Sequence, residues 1–192
     1  MQLLLDLSRV IDTLNRWVGR ATVWLILCSV LISAGNAVVR KALGVSSNAW
    51  LEAQWYLYGA AFLCAAGYVL LVDEHVRIDA VAQRFPPRLR AGLDIGALVL
   101  FVLPLCALMI DLGAAYFWRA YQTGETSYNA GGLVRWPVYL SIPVGFGLLA
   151  LQAVSELIKR IAFLRGLRER PAMHEADLPE FMGQKPIDGT RT

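Results

Sequence analysis

One apolar run, from Ala53 to Val72, limits what this chain can fold into more than any other stretch. A run of about 20 apolar residues is long enough to cross the hydrocarbon core of a bilayer as a helix. A helix also satisfies the backbone hydrogen bonds that water cannot satisfy there. Trp and Tyr residues open the run and a charged stretch follows it. We therefore predict a transmembrane helix with one aromatic end and one charged end.

Three further apolar runs extend this prediction to four spans in one membrane domain, residues 1–170. We place the spans at about residues 21–39, 50–72, 91–118 and 136–157. The composition agrees, because only 17% of the 192 residues are charged, against about 25% in an average soluble domain. The polar tail at residues 171–192 is expected to be disordered. The predicted fold class is an all-α integral membrane protein.

The segment before the first span is predicted to be an amphipathic helix that lies on the membrane surface before the chain turns inward. Apolar residues recur on one side of it, at Leu3, Leu7, Val10, Leu14 and Val18. Polar and charged residues form an opposite stripe, at Asp6, Arg9, Thr13, Arg16 and Arg20. A helix with two such faces can lie in the headgroup plane.

The distribution of Lys and Arg predicts the orientation of the chain. Of the 18 Lys and Arg residues, all but Arg40, Lys41, Arg119 and Arg135 fall on the side of the two termini. Cytoplasmic loops carry an excess of these residues, so both termini are predicted to be cytoplasmic. At the opposite ends of the spans, an aromatic belt is expected at the membrane interface. Its predicted anchors are Trp50, Trp55, Trp118 and Trp136.

Three charged residues near or within the spans are candidates for a structural or functional role. Glu52 opens the second span, and Arg40 lies across a short turn from it, so the two are predicted to pair. Asp111 lies inside the third span, about a turn from its outer end. A charge costs roughly 3 kcal/mol at the centre of a membrane helix and less near an interface. The candidate partners of Asp111 are Arg40, Arg119 and Arg135. A proton-coupling role for Glu52 or Asp111 remains an alternative.

The middles of the spans are almost wholly apolar, for example Leu63-Cys64-Ala65. Asp94 and Glu156 lie near the predicted cytoplasmic ends and are expected to be solvated. A dry interior has no place to hold a solute, but the outer faces can bury against another membrane protein. These features predict an accessory subunit.

The sequence does not favour an enzyme or a redox subunit. Its two histidines, His75 and His174, lie outside the apolar runs, whereas a haem bundle needs imidazoles inside. The three cysteines form no CxxC pair, so neither a zinc site nor a dithiol motif is indicated. A net charge of +3 is too small to indicate a nucleic-acid partner.

Several short motifs occur along the chain in a specific order. They are Trp50-Leu51-Glu52, residues 74–79, Arg135-Trp136-Pro137 with residues 142–145, and residues 155–166. In this order and spacing they resemble the small membrane subunit of tripartite ATP-independent periplasmic (TRAP) transporters. The resemblance covers about residues 21–166.

The resemblance implies a non-catalytic scaffold subunit in the bacterial inner membrane. The small subunit of such a transporter pairs with a large membrane subunit, which carries the substrate and sodium sites and moves like an elevator. A periplasmic binding protein delivers an organic anion, usually a carboxylate. No cofactor or metal ligand is then expected from this chain, and its other partners are membrane lipids.

The charged residues towards the outer ends of the spans have one predicted role if the chain is a scaffold subunit and another if it is a carrier. Arg135, Glu52 and Asp111 are predicted to help form the surface that receives the binding protein. The alternative is a stand-alone small carrier that uses Glu52 or Asp111 for proton coupling. Transport by the purified chain alone would distinguish the carrier from the scaffold.

Overall fold

The structure is a computed structural model that describes residues 2–44, 47–72 and 86–167. Within these ranges the chain forms four long helices: α1 (Gln2–Leu43), α2 (Asn48–Leu71), α3 (Pro87–Thr123) and α4 (Trp136–Leu164). Each is long and apolar enough to cross a membrane. The predicted all-helical fold with four candidate spans is confirmed. The motif at residues 74–79 and the tail at residues 171–192 lie outside the described residues.

Helix α1 joins the predicted surface helix and the first span without a turn between them. It has 42 residues, or about 63 Å at 1.5 Å per residue, roughly twice the thickness of the hydrocarbon core. The expected turn after Arg20 is therefore absent. The sequence explains this, because no proline interrupts α1 between Gln2 and Leu43.

The helices pack in the spatial order α1, α2, α4, α3, and α1 also reaches α4. Glycines let α2 approach its neighbours closely. A Cβ atom at Gly145 of α4 would lie 2.7 Å from the Cβ of Leu63, and one at Gly67 would lie 2.2 Å from Oδ1 of Asn15. A small apolar core forms where Leu70 meets α3 and α4. Small residues at helix crossings are typical of membrane bundles.

Prolines shape α3 and α4 without ending them. A π-helical turn at Leu98–Val102 precedes Pro104, so the hydrogen-bond pattern of α3 changes next to a residue that cannot donate. Pro137 lies in the first turn of α4, and Pro143 lies inside that helix. The first turn tolerates proline because its N–H groups have no partner within the helix.

Helices α1 and α3 end, and α2 and α4 begin, at the same end of the bundle, which we call the loop end because it carries the loop between α3 and α4. A hydrogen bond from Ser29 Oγ to the Gln54 carbonyl, 3.1 Å long, sets the level of α1 against α2. The opposite end, where α1 starts, is called the N-terminal end. Polar side chains collect at both ends, and they are the candidates for function.

Candidate functional site

At the loop end, residues 124–135 fold back on themselves as a hairpin loop. Gly124 and Gly131 have φ values of 60° and 71°, in the left-handed region that favours glycine. The Ser127 N–H donates to the Leu133 carbonyl at 2.9 Å, which pairs the two arms of the loop. The loop therefore has a defined backbone conformation.

Glu52, in the first turns of α2, fastens this hairpin loop to the bundle. Its carboxylate accepts hydrogen bonds from Asn129 Nδ2 at 2.7 Å, from the Leu133 N–H at 2.7 Å, and from the Ser127 hydroxyl. Glu52 is only 8% exposed. Three neutral donors aimed at one carboxylate stabilise its charge. We call these four residues the loop clasp.

The predicted pair between Glu52 and Arg40 does not form, because the polar partners of Glu52 among the described residues all come from the hairpin loop. The level of the helices explains the difference. Ser29 of α1 lies beside Gln54 of α2, so Arg40 extends about 16 Å farther along α1. Arg40 is therefore exposed beyond the start of α2.

Arg135 precedes α4 and contributes to the outer surface of the hairpin loop. Its Nη1 donates to Glu125 Oε1 at 2.9 Å. Its guanidinium carbon lies 4.7 Å from the centre of the Tyr128 ring, within the range of a cation–π contact. The hydrogen bond to Glu125 raises the pKa of Arg135, so the guanidinium stays charged. Tyr128 itself is 90% exposed, so the loop presents a ring, a cation and an acid together.

The four predicted tryptophan anchors all lie within about two turns of helix ends at the loop end. Trp118 stacks on Tyr121 at 6.2 Å, and Trp136 meets Tyr121 edge to face at 5.9 Å. Trp50 and Trp55 of α2 are exposed. The aromatic belt is thus a structural feature of this end, and its position at a membrane interface remains a prediction.

A second polar cluster lies at the N-terminal end, between α1, α3 and α4. Lys159 Nζ is 2.7 Å from Asp12 Oδ2 and 2.7 Å from Glu156 Oε1. Arg160 Nε is 3.1 Å from Asp94 Oδ2, and its guanidinium also contacts Glu156. Two cations and three carboxylates thereby connect three helices. We call these five residues the ionic cluster.

Amide and hydroxyl side chains extend the ionic cluster along the interface of α1 and α4. Gln152 Nε2 donates to Asp12 Oδ1 at 2.9 Å and its Oε1 accepts from Asn15 Nδ2 at 2.9 Å. The Ser155 hydroxyl donates to Asp12 Oδ1 at 2.7 Å and lies 2.7 Å from the Ser8 hydroxyl. All five of these side chains are buried. They fix the first turns of α1 against α4.

The ionic cluster overturns the expectation that Glu156 is solvated, and it shows that the interior is polar at the N-terminal end. Glu156 is 3% exposed. It is covered because α1 continues as a helix towards the N-terminus and packs over the end of α4. Asp94 is partly buried beside Arg160. Opposite charges in contact offset the cost of taking each group out of water.

The sequence did contain a signal for this cluster. Ser8, Asp12 and Asn15 are spaced four and three residues apart, which places them on one side of a helix. Gln152, Ser155 and Lys159 are spaced three and four residues apart, which places them on one side of α4 in the same way. The polar stripe predicted for α1 ran along a different side, through Arg9, Arg16 and Arg20. The predicted apolar stripe is instead largely exposed, with Leu3, Leu7, Val10 and Leu14 facing outward.

Asp111 lies apart from both clusters. It is exposed on α3, twelve residues before Thr123, or about 18 Å from the helix end at 1.5 Å per residue. Among the described residues, no side chain forms a hydrogen bond or ion pair with it, so Arg40, Arg119 and Arg135 are not its partners there.

The described residues hold no group of three or more His, Cys, Asp or Glu side chains arranged to bind a metal ion. Cys28, Cys64 and Cys106 are all free thiols. The polar groups of the loop clasp form hydrogen bonds within the clasp, and those of the ionic cluster form ion pairs within the cluster. The structure therefore has helices held together by polar contacts at both ends and exposed surfaces elsewhere.

The chain matches one protein-family model, described as "Tripartite ATP-independent periplasmic transporters, DctQ component", over residues 29–163. The match spans more than half of the chain. It includes all of the loop clasp and most of the ionic cluster, and it begins after Asp12 and Asn15. No curated protein matches the chain.

Proposed function

The chain belongs to the DctQ component family of tripartite ATP-independent periplasmic transporters, and on that premise we propose that it is the non-catalytic scaffold subunit of a sodium-coupled importer of organic anions. The family is one of transporter components and not of enzymes. In general its members work with a large membrane subunit and a binding protein. We assign sodium coupling and the transported carboxylate to those partners.

The observation that carries the scaffold role is that the polar groups of the two clusters are bonded within the chain while its apolar surface is open. Large apolar side chains such as Trp24, Phe62 and Phe101 are exposed. Glu52, one of the two proton-coupling candidates of the carrier alternative beside Asp111, has both carboxylate oxygens engaged by the hairpin loop. A group that already accepts three hydrogen bonds is a poor ligand for a moving ion. These features favour a scaffold over a stand-alone carrier.

We place both termini in the cytoplasm of a bacterial cell and the hairpin loop in the periplasm. The excess of Lys and Arg on the side of the termini supports this orientation. The tryptophans at the loop end fit the opposite interface. The first residues of α1 would then lie at the inner surface, where the apolar side chains of Leu3, Leu7 and Val10 face lipid.

We assign docking of the binding protein to the hairpin loop and Arg135, with Glu52 as the residue that holds the loop in place. A clasped loop loses little conformational entropy when it binds. Asp111 is too far from the loop, about 18 Å along α3, to share that surface. Arg135→Glu is expected to lower the association rate of the binding protein several-fold at low salt. Arg119→Glu, a cation at the same end on α3, is the matched control.

Reconstitution tests the proposed function directly. Proteoliposomes would contain this chain alone, the large subunit alone, or both, with binding protein outside and a panel of 2-oxo and hydroxy acids as solutes. Uptake is expected only with both membrane subunits and an inward sodium gradient. Uptake by this chain alone would support the carrier instead.

A further inference from the structure

Asp111 is a charged group without a hydrogen-bond or ion-pair partner among the described residues. It lies seven residues from Trp118, so it is about 10 Å deeper in the bundle than that anchor. The buried side of α3 carries Cys106, Gly113 and Ala120, and Asp111 is exposed on another side of the helix. If α3 crosses the membrane, this carboxylate points away from the bundle at a depth where lipid offers no donor.

Carboxylates within spans rarely face lipid. They face a bundle interior or a water-filled cavity, and they pair with another group. The interior of this chain lies on the other side of α3, and with Trp118 as an interface anchor the phospholipid headgroups would lie near Trp118 rather than near Asp111. A cation on a neighbouring protein helix can reach this depth.

The residues around Asp111 suit such a neighbour. Ala107 lies one turn before it, and Ala114 and Ala115 lie one turn after it, and all three are exposed. Small side chains let the backbone of another helix approach closely, and a polar group among them can bond across the contact. The contact would therefore combine close packing with one charged interaction.

We infer that the side of α3 formed by Ala107, Asp111, Ala114 and Ala115 receives a helix of the large membrane subunit, and that this helix carries a cationic side chain opposite Asp111. The identity of the partner rests on the proposed function. The location of the contact on α3 is inferred from the charge of Asp111 and from its depth. This face of α3 is separate from the hairpin loop, so large-subunit pairing and binding-protein docking use different surfaces.

Co-purification of the large subunit with the full-length, affinity-tagged chain in mild detergent tests this inference. Asp111→Leu removes the charge, and Ala115→Phe blocks close approach. Each is expected to lower the retained large subunit about tenfold, and Asp111→Asn less, because its amide still forms hydrogen bonds. Ala34→Phe, at an exposed alanine of α1, is the matched control and is expected to retain the wild-type amount.

Unfolding of the purified chain alone provides the second measurement. Asp111→Leu is expected to leave its thermal midpoint unchanged or raised, because a carboxylate without an internal partner is removed. If Asp111→Leu lowers both the thermal midpoint of the chain alone and the amount of co-purified large subunit, Asp111 stabilises this chain itself. That result would overturn the inference. Wild-type retention by both Asp111→Leu and Ala115→Phe would also overturn it. If the wild-type chain retains no large subunit, the proposed function fails first, and the inference falls with it.

Discussion

The loop clasp and the ionic cluster fasten opposite ends of the same bundle by different chemistry. In the loop clasp one carboxylate, Glu52, is satisfied by neutral donors from a loop. In the ionic cluster Glu156 holds two cations at once, between packed helices. Neutral donors are sufficient to stabilise the Glu52 carboxylate because a loop can place several N–H and O–H groups around one acid. In the ionic cluster Lys159 and Arg160 bring buried cations to the helix contacts, and counter-charges are then needed.

The two regions should consequently respond differently to the loss of their central acid. Removal of Glu156 leaves Lys159 and Arg160 buried without their shared carboxylate, and this affects three helices. Removal of Glu52 frees a loop whose donors can turn to water. The first effect is global and the second is local.

Glu156→Leu gives the largest expected change. The free energy of unfolding should fall by about 3–5 kcal/mol, because Lys159 and Arg160 each lose one of two buried carboxylate contacts, and a hydrogen bond to a charged group contributes about 1.5–3 kcal/mol. Denaturant unfolding of the full chain in detergent micelles measures this quantity. The control is Asp6→Leu, which breaks the exposed Asp6–Arg9 pair and should cost no more than about 0.5 kcal/mol. Equal effects of the two substitutions would show that the ionic cluster is not structural.

Glu52→Ala should act more weakly and only at the loop end. Hydrogen bonds to a charged acceptor contribute about 1.5–3 kcal/mol, so the amides of residues 124–135 should exchange with solvent faster by a factor of ten or more. Hydrogen–deuterium exchange followed by mass spectrometry measures this change. Glu52→Gln keeps one carbonyl acceptor and should show a smaller increase. Faster exchange throughout α4 as well would show that Glu52 stabilises the whole bundle and not only the hairpin loop, against the prediction.

Gly67→Ala sharpens the comparison because it disturbs Asn15, which is connected to the ionic cluster through Gln152. The added Cβ would lie 2.2 Å from Asn15 Oδ1 and 3.1 Å from the Leu148 carbonyl, so the buried Asn15 side chain must move away from its bond to Gln152 or the helices must shift, at a cost of about 1–3 kcal/mol. Gly59→Ala on the same helix has open space around the new atom and should be neutral or slightly stabilising. The difference between their unfolding midpoints is the quantity to measure. Equal midpoints would mean that α1 is not held tightly against α2.

The sequence was sufficient for the parts of this fold that depend on one helix at a time. Length and apolar content located four spans, and Pro137 fits the first turn of α4 as its fixed φ requires. The tryptophans were expected at one end and are found there. Each of these features is encoded within a single segment.

The features that could not be predicted from the sequence depend on how two helices are aligned. Arg40 and Glu52 are close in sequence, but the level of α1 against α2 separates them. Asp12 and Lys159 are far apart in sequence, and they meet because α1 continues past Arg20 as a helix. Polar stripes on α1 and α4 were present in the sequence, but spacing alone does not say which stripes face each other.

An experimental density map of the assembled transporter, with sodium and the organic anion bound, tests the scaffold role most directly. We predict that no side-chain oxygen or nitrogen of this chain lies within about 3.2 Å of either ligand, and that both are held entirely by the large subunit. A sodium ion or solute coordinated by Glu52, Asp111 or a member of the ionic cluster would contradict the scaffold role.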